Sequence, residues 1–419
     1  MTSKLRFIPA SLCILICLTA LMRTVSFAED SNSVHIAVAS DLHYIAPQLT
    51  DRGTLFSSVA GSNDGKLMLY TEEILDAFIA RILEEMPDAL ILSGDLSYNG
   101  EYESHVALAE KLNRLQRAGI QVLVLSGNHD VNSPYAFMFH GESYEKTRNT
   151  TAEEFAEIYR GFGLSQAISI DEVSGSYVYQ LRDDLRILML DTNSVAVNSF
   201  PSESITWLEE QLQDARNNSA KVIAVSHQNL KVHHPLFVRG YRISNATSVE
   251  KRYREYGVLC QLSGHMHIQH IMAGRVPEIL TSPLCMTPVR YGLLTWDGET
   301  LLYDAEEVDV EAYAESTGST DENLLHFSEY ARNRMYQIHY DQIIRSYRGD
   351  DPDAEAKEFA ALFAETNYRY FTGQPIDRVA LAAEIEKWKS AGPGFRNSYL
   401  EGILNDDCED ALHYEIKVE

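Results

Sequence analysis

The chain has 419 residues, of which 45% are hydrophobic and 23% are charged. These proportions are ordinary for a globular protein, so they exclude disorder and collagen-like repeats, and the length suits two or three domains. The balance of charge is strongly acidic, because 35 Lys and Arg face 61 Asp and Glu for a formal net charge of −26. Such a surface repels phosphate backbones, so we expect no nucleic-acid partner. An anionic substrate would need local positive charge or metal ions.

The N-terminus has the three-part layout of a secretory signal peptide. Lys4 and Arg6 precede an uncharged apolar run over residues 7–22, and Ser26-Phe27-Ala28 supplies small residues around a cleavage position. We therefore predict that residues 1–28 are removed and that the protein is secreted or extracytoplasmic, with an uncleaved membrane anchor as the alternative. The apolar run is short for a bilayer span, and no later stretch replaces it, so we expect no stable membrane span after cleavage.

Three cysteines, Cys260, Cys285 and Cys408, lie outside the predicted signal peptide. An odd number of cysteines cannot all pair within one chain, so the fold does not depend on a disulfide framework. The sequence leaves a disulfide between Cys260 and Cys285 open.

Between Val34 and about Leu302 the sequence alternates between short apolar runs and amphipathic stretches. The runs predicted as strands are Val34–Ser40, Ala89–Ser93, Gln121–Ser126, Arg186–Leu190, Lys221–Ser226 and Val258–Ser263. The stretches predicted as helices are Thr71–Met86, Glu101–Ala118 and Glu203–Arg216, the last with Ser202 as its N-cap. Strands that alternate with helices predict an α/β fold with largely parallel pairing, although this pattern does not give the strand order.

After about Asp304 the pattern becomes helical and rich in Tyr. Helices are predicted at Glu322–Tyr347, Ala354–Tyr370, Asp377–Ser390 and Asn397–Leu404. This region has no catalytic motif, so we predict an all-α bundle packed on the core, with a partner-binding module as the alternative. The predicted domains are therefore a signal peptide at residues 1–28, an α/β domain at residues 29–305 and a C-terminal helical domain at residues 306–419.

Five of the predicted strands end in residues that can bind metal ions. In chain order these are Asp41 and His43, Asp95, Asn128 with His129 and Asp130, His227, and finally His265 and His267. In an open α/β sheet the site lies beyond the carboxyl ends of the strands, so these side chains are expected to meet there. Alternate side chains of an extended chain share a face, so the Asp-x-His and His-x-His pairs should each point one way. Imidazole, carboxylate and amide ligands without a thiolate suit Mn, Fe or Zn.

The order of these motifs resembles that of the calcineurin-like metallophosphoesterase superfamily. The pattern is Asp-x-His, Gly-Asp, Gly-Asn-His-Asp, His and Gly-His-x-His, and it spans Asp41 to His267, more than half of the chain. It looks nearest to exported bacterial members and to the cyclic-nucleotide phosphodiesterase-like branch. The resemblance implies a four-layer sandwich of two β-sheets flanked by helices, to which this chain adds its C-terminal helical region.

The resemblance also implies two bound metal ions and a role for each motif residue. Asp41, His43 and His267 would hold one ion, Asn128, His227 and His265 would hold the other, and Asp95 would bridge them. His129 would face the scissile ester, with Asp130 orienting it and raising its pKa. A hydroxide formed between the two ions would attack phosphorus, while His129 would stabilise charge and protonate the leaving group.

The predicted function is metal-dependent hydrolysis of a small-molecule phosphate ester, with a phosphodiester as the first choice. The alternatives are a phosphomonoesterase, such as a nucleotidase or acid phosphatase, and a metal-binding module without catalysis. A nuclease is disfavoured by the acidic charge. Substrate contacts are predicted at Tyr44 and Asn132, beside metal motifs, and at Arg239 and Arg242, in a basic stretch over residues 228–256.

Further residues are expected to support the site without binding the ions. The long loop over residues 45–69 leaves the first motif directly and is a candidate for part of the pocket. Asp191 and Asn193 follow another predicted strand and are candidates for contacts behind the ligands. His105 lies within a predicted helix, so we expect it to be structural.

Overall fold

The computed structural model describes residues 33–61, 65–345, 354–379, 381–389 and 395–418. The predicted signal peptide, residues 1–28, lies outside the described residues. Within the described ranges, none of the helices has both the length and the apolar character needed to cross a membrane. Cys260 and Cys285 are described as free thiols, so the disulfide that the sequence left open is not formed between them.

Two large mixed β-sheets form the centre of the molecule. The strands are β1 (Val34–Ala39), β2 (Ala89–Leu92), β3 (Gln121–Val124), β4 (Phe137–His140), β5 (Ser143–Lys146), β6 (Ser169–Ile170), β7 (Tyr177–Arg182), β8 (Leu185–Met189), β9 (Lys221–Val225), β10 (Cys260–Ser263), β11 (His270–Met272), β12 (Glu278–Leu280), β13 (Arg290–Trp296), β14 (Thr300–Glu307) and β15 (His413–Lys417). The first sheet has the order β15-β14-β13-β1-β2-β3, the second has the order β11-β12-β10-β9-β8-β7-β6, and β4 pairs with β5 in a hairpin.

The pairing in both sheets is only partly parallel. The strands β1, β2 and β3 are parallel to one another, as are β8, β9, β10 and β12. The other pairs of the two sheets are antiparallel. The predicted, largely parallel arrangement is therefore wrong for the outer strands, several of which follow short connections that favour antiparallel neighbours.

Helices cover the outer faces of the sheets and form most of the C-terminal region. They are α1 (Thr54–Gly61), α2 (Thr71–Glu85), α3 (Tyr102–Ala118), α4 (Ala152–Ile158), α5 (Ser204–Asn217), α6 (Ala246–Tyr256), α7 (Val310–Ser316), α8 (Glu322–Leu325), α9 (Phe327–Ile344), α10 (Ala354–Thr372), α11 (Ala382–Lys389) and α12 (Phe395–Leu404). The three helices predicted before Asp304 are confirmed as α2, α3 and α5. Glu203 rather than Ser202 occupies the N-cap of α5, and among the described residues no side chain caps that helix.

The residues of β1 show how the layers are built. Ile36 and Val38 pack between the two sheets, where they join Ile223 of the second sheet. Ala37 and Ala39 face the opposite way, into the cluster that includes α2 and α3. Another cluster packs α5 and α6 against the outer face of the second sheet. Alternate residues of this buried strand therefore pack on opposite faces of the first sheet, one towards the second sheet and one towards helices. With helices on the outer face of the second sheet as well, the predicted four-layer α/β sandwich is confirmed.

The C-terminal region is not wholly helical, which corrects the prediction of an all-α tail. Residues 413–417 form β15 and extend the first sheet by antiparallel pairing with β14. In this segment Tyr414 and Ile416 alternate with exposed polar residues, a pattern typical of a half-buried edge strand. Helices α9, α10 and α12 pack against Met266 and Ile268, which places the tail beside the last of the motifs.

Candidate metal centre

The five motifs converge on one end of the two sheets. Potential ligand atoms of Asp41, His43, Asp95 and His267 all lie within 4.8 Å of one another. A second group consists of Asp95, His227 and His265, with the same mutual limit of 4.8 Å. Asp95 belongs to both groups, which is the position that a carboxylate shared by two ions requires.

The donor atoms of the first group have spacings that suit a metal ion. Nε2 of His267 lies 3.3 Å from Nε2 of His43 and 3.3 Å from Oδ1 of Asp41. Two ligands of a tetrahedral ion with bonds of about 2.0–2.1 Å are separated by about 3.4 Å. Imidazole nitrogens brought together at this distance beside a carboxylate therefore fit a divalent cation.

Backbone carbonyls fix the histidine rings of the second group. Nδ1 of His227 donates to the carbonyl of Ser93 at 3.1 Å, and Nε2 of His265 donates to the carbonyl of Gly240 at 2.9 Å. Because a carbonyl only accepts, the other nitrogen of each neutral ring carries the lone pair that a metal ion needs. Nε2 of His227 also lies 3.1 Å from Oδ1 of Asn128, which brings this amide into the group.

The carboxylates of the site are held in their ionised form. Burial opposes ionisation of Asp41, but the hydrogen bond and charge of His267 lower its pKa below the ordinary value. Burial also opposes ionisation of Asp95, whose pKa the charges of His227 and His129 hold well below its usual range. In return, Asp95 raises the pKa of His227 to about 9, against the effect of burial. Positive charge beside these carboxylates is therefore favourable, and a metal ion bound to His227 would take the place of its proton.

The ligands reach the site through an uncommon backbone conformation. Positive φ angles, between 43° and 70°, occur at Asp41, His43, Asp95, His265 and His267. Strand alternation was predicted to align the Asp-x-His and His-x-His pairs, but β1 and β10 end before these residues, so that reason was wrong. Left-handed residues other than glycine cost about 1–3 kcal/mol each and persist at functional sites where the surrounding structure enforces them.

Two glycines of the motifs allow neighbouring chain segments to come close. A Cβ atom at Gly127 would overlap the carboxylate and amide of Asp95, and one at Gly264 would overlap the hydroxyl of Ser40. Glycine is needed at both positions because the ligand-bearing turns pack directly against each other.

His129 is oriented by Asn99 rather than by Asp130. Nδ1 of His129 donates to Oδ1 of Asn99 at 2.9 Å and approaches the carbonyl of Tyr98 at 3.1 Å. Nε2 is left for the cavity that His129 lines. Burial lowers the pKa of His129, so the expected rise caused by Asp130 is also wrong, although the carboxylate charges act in that direction.

The carboxylate of Asp130 instead holds the turns that carry the ligands. It accepts from the backbone amides of Leu96, Ser97 and Gly127 at distances of 3.1, 2.9 and 2.8 Å. With a fourth bond from the hydroxyl of Ser97 at 3.0 Å, these contacts occupy both of its oxygens, so the predicted orienting role of Asp130 is replaced by a structural one. Nε2 of His105 donates to the carbonyl of Asp130 at 3.0 Å, in agreement with the structural role predicted for His105.

A chain of amides supports Asn128 from behind. Nε2 of Gln228 lies 3.4 Å from Oδ1 of Asn128 and donates to Oδ1 of Asn193 at 2.7 Å. Asn193 in turn donates to the carbonyl of Ser126 at 3.0 Å, while Asp191 accepts from the hydroxyl of Ser126 at 3.0 Å. Asp191 and Asn193 therefore lie behind the ligands as expected. Gln228 was missed, although its place directly after a ligand could have indicated it.

A cavity of about 640 Å³ opens over the metal groups. Its lining on the metal side consists of Lys66, Asp95, Asn128, His129, His265 and His267. Other lining residues are Phe237, Gly240, Tyr241 and Met266, together with His339, Gln342, Phe363, Asn367, Phe371 and Tyr399 from the tail. The C-terminal helices therefore complete the cavity, a role beyond the packing that the sequence predicted.

The structure does not bring the four predicted substrate contacts to this cavity, because none is among its described lining residues. Tyr44 is buried, and its hydroxyl donates to Oε2 of Glu72 at 2.7 Å. Asn132 and Arg239 are exposed. The guanidinium of Arg242 donates to the carbonyl of Leu230 at 2.7 Å and to the hydroxyl of Thr247, in α6, at 3.3 Å.

Lys66 is a cavity residue that the motif pattern did not indicate. It lies in the loop that was a candidate for the pocket, and only 8% of its surface is exposed. Burial and the charge of Lys66 both lower the pKa of His43. A lone lysine outside any strand end carries no local signal of such a position, so only the fold reveals it.

The sequence matches two protein families. Calcineurin-like phosphoesterases match residues 34–269, and the C-terminal domain of cyclic nucleotide phosphodiesterase matches residues 309–410. No curated protein matches the chain.

Several solved structures are similar to this chain. A dimetal phosphatase from Danio rerio is 12% identical, with 65% of this chain and 96% of that chain covered and a TM-score of 0.45. A putative 5'-nucleotidase from Staphylococcus aureus is 15% identical, with 72% and 58% covered and a TM-score of 0.41. Purple acid phosphatase PPD1 from yellow lupin (Lupinus luteus) seeds is 13% identical, with 66% and 52% covered and a TM-score of 0.42.

Proposed function

The chain belongs to the calcineurin-like phosphoesterase family, which matches it over residues 34–269, and on this premise we propose that it is an exported phosphodiesterase. The proposed substrates are small diesters in which at least one esterified alcohol carries an aromatic ring, as in a nucleotide. One observation carries the proposal: the ligand groups that share Asp95 lie under a cavity with aromatic walls.

The residues present fit two divalent ions of the Mn, Fe or Zn type. Imidazole nitrogens and carboxylate oxygens supply both groups, and the three described cysteines are not among them. Bound ions of this kind supply Lewis acidity at the phosphoryl group and activate water for attack. Asp41 and Asp95 provide the negative charge in the two groups, while the neutral amide of Asn128 adds none.

His129 is placed to act on the ester rather than as one of the grouped ligands. Its Nδ1 is occupied by Asn99, which fixes the ring and directs Nε2 toward the cavity. A neutral ring that donates through Nδ1 carries a lone pair at Nε2, so the acid form is the protonated ring. In that form Nε2 can donate to a phosphoryl oxygen as negative charge develops, or pass a proton to the departing alkoxide. The rigid contact with Asn99 aligns this donor before substrate binds.

The cavity supports a diester that carries a ring. A diester has a second organic group, and the cavity of about 640 Å³ extends past the ligands to Phe237, Phe363 and Phe371. Aromatic side chains bind planar rings through offset or edge-to-face contacts. The match of residues 309–410 to the C-terminal domain of cyclic nucleotide phosphodiesterase supports the same substrate class.

A substrate panel on metal-reconstituted protein tests this proposal. Metal-free protein would be loaded separately with Mn, Zn, Fe or Ca and assayed on bis-p-nitrophenyl phosphate, p-nitrophenyl phosphate, cyclic nucleotides and glycerophosphodiesters. We expect kcat/KM to be at least about 10-fold higher for cyclic nucleotides than for glycerophosphodiesters, equal to about 1.4 kcal/mol of transition-state binding. A preference for p-nitrophenyl phosphate over every diester would instead establish a phosphomonoesterase.

Three features within residues 1–28 support export: basic residues at the start, an apolar run after them, and small residues around the cleavage position. We expect sequencing of the mature N-terminus to begin at or near Glu29. Recovery of chains that retain Met1 in a membrane fraction would indicate the uncleaved anchor.

A further inference from the structure

We propose that Lys66 binds a phosphoryl oxygen of the substrate and supplies the fixed positive charge that this acidic protein needs to hold an anion. The inference rests on the proposed function, which it deepens by assigning the residue that anchors the phosphate. Lys66 lines the same cavity as Asp95, Asn128, His129 and His267, so its side chain shares the space in which a phosphate over the metal groups would lie.

Among the described residues, none forms an ion pair with the ammonium group of Lys66. The residue is 8% exposed, and within the described ranges no hydrogen bond or ion pair joins its side chain to another residue. A charged group withdrawn from water is costly unless it is paired. An anionic ligand in the cavity would supply the missing partner, because a phosphate oxygen accepts strongly from an ammonium group.

The charge of Lys66 is also distinctive within the cavity. Of the described residues that line it, Lys66 alone is a lysine or arginine. The chain as a whole carries a formal net charge of −26, so long-range electrostatics oppose the approach of a phosphate. A cation fixed inside the cavity offsets this repulsion at the point where the phosphate has to bind.

Backbone contacts fix the position of Lys66 relative to the metal centre. The amide of Leu67 donates to the carbonyl of Cys285 at 2.7 Å, and the amide of Cys285 approaches the carbonyl of Asp41 at 3.4 Å. Gly65 has φ of 97°, and a Cβ there would lie 3.1 Å from the methyl carbon of Met286. These contacts place Lys66 two hydrogen bonds away from a metal-ligand segment, so its position is fixed before substrate arrives.

The experiment measures the binding of inorganic phosphate, because this probe does not depend on which ester is the substrate. Wild type, Lys66→Met, Lys66→Arg and the matched control Lys231→Met would each be loaded with metal, and phosphate affinity measured by calorimetry. Lys231 is a partly buried lysine outside the lining of the cavity. We expect Lys66→Met to weaken phosphate binding roughly 10–100-fold, as loss of a charge-assisted hydrogen bond does. Lys66→Arg should recover part of this loss, and Lys231→Met should match wild type.

Three outcomes overturn the proposal. The first is unchanged phosphate affinity in Lys66→Met with the metal content of wild type. The second is loss of metal from Lys66→Met and Lys66→Arg alike, which would make the residue a support of the metal centre. The third is absence of phosphate binding by the metal-loaded wild type. A wild type that prefers monoesters but loses phosphate binding in Lys66→Met would contradict the proposed diesterase activity and leave the role of Lys66 standing.

Discussion

His233 and His270 face each other through their Nδ1 atoms at 2.7 Å, and each ring has a carboxylate at its other end. Nε2 of His233 lies 3.1 Å from Oε2 of Glu278, and Nε2 of His270 lies 2.6 Å from Oδ2 of Asp406. The contact between the two Nδ1 atoms needs a proton on one of them and a lone pair on the other. Through these contacts the two histidines of the α/β domain join Asp406 of the tail that completes the cavity.

Replacing Asp406 should weaken this connection. Burial opposes ionisation of Asp406, but the hydrogen bond and charge of His270 lower its pKa below the ordinary value. We expect Asp406→Asn to lower the free energy of unfolding by about 1–3 kcal/mol at pH 7, as loss of a charged hydrogen bond does. Urea denaturation, followed by a signal that reports on the whole chain, would measure this loss.

The pH dependence of that loss follows from the lowered pKa of Asp406. A carboxylate with a lowered folded-state pKa contributes stability above its unfolded pKa, about 3.9, and loses it as pH falls through the folded pKa. The difference in the free energy of unfolding between wild type and Asp406→Asn should therefore become smaller below about pH 4. Asp407→Asn, at the exposed neighbouring position, is the control and should behave as wild type. A difference that stays constant down to pH 3 or that appears in both variants would contradict this account.

His129→Ala should impair catalysis without emptying the metal centre. The side chain contacts Asn99 and lines the cavity, but it is outside both groups of potential ligands. We expect kcat to fall about 10²–10⁴-fold, the usual contribution of a positioned acid or base, while elemental analysis finds the metal content of wild type.

The leaving group distinguishes the two roles open to His129. A diester with a poorly acidic alcohol needs a proton as it departs, whereas p-nitrophenolate hardly does. A larger loss on the alcohol ester would identify His129 as the acid. Equal losses on both would assign it to stabilisation of phosphoryl charge, and metal loss in His129→Ala would contradict its separation from the ligands. Asn99→Ala is the matched variant and should reproduce a smaller part of the same effect, since it frees the ring without removing it.

Asp95→Ala should reduce metal binding at both sites at once. Its carboxylate belongs to both ligand groups, whereas Asp41 belongs to one and His265 to the other. Elemental analysis after equilibration with limiting metal should find markedly less than wild-type content in Asp95→Ala. Asp41→Ala and His265→Ala should each affect one ion more than the other. Unchanged occupancy in Asp95→Ala would rule out the shared position.

The candidate ligands could be located from the sequence because their signal is local. Each of Asp41, Asp95 and His227 follows a short apolar strand, and parallel strands bring their carboxyl ends together whatever their order in the sheet. In the structure, the potential ligand atoms of each group lie within 4.8 Å of one another. The positions of the strand ends are enough to predict this convergence.

Features that depend on distant segments could not be predicted in the same way. Lys66 enters the cavity because Leu67 pairs with Cys285, more than two hundred residues later. Phe363 and Phe371 line the cavity only because the tail folds back over the motifs, and helical periodicity does not say which face will meet a substrate. Asn99, and not Asp130, orients the ring of His129. The path of the turns decides which side chain reaches Nδ1 of His129, and adjacency in the sequence does not determine it.

The last prediction concerns Arg239 and Arg242, which the sequence analysis predicted as substrate contacts in a basic stretch. In the structure the guanidinium of Arg242 bonds the carbonyl of Leu230 at 2.7 Å and lies 3.9 Å from Glu250. Arg239 is exposed, and neither arginine is among the described residues that line the cavity. Exposed charges at such positions are screened by salt over about 8–10 Å.

We therefore expect the double variant Arg239→Ala, Arg242→Ala to change KM by less than about twofold at physiological salt, with kcat unchanged. Steady-state kinetics at low and high ionic strength would measure both constants. Lys66→Met, assayed beside it, provides the comparison, because loss of a charge inside the cavity should raise KM at every salt concentration. If the double variant raises KM strongly at low salt and converges with wild type at high salt, the two arginines steer the substrate and their predicted role in substrate binding stands.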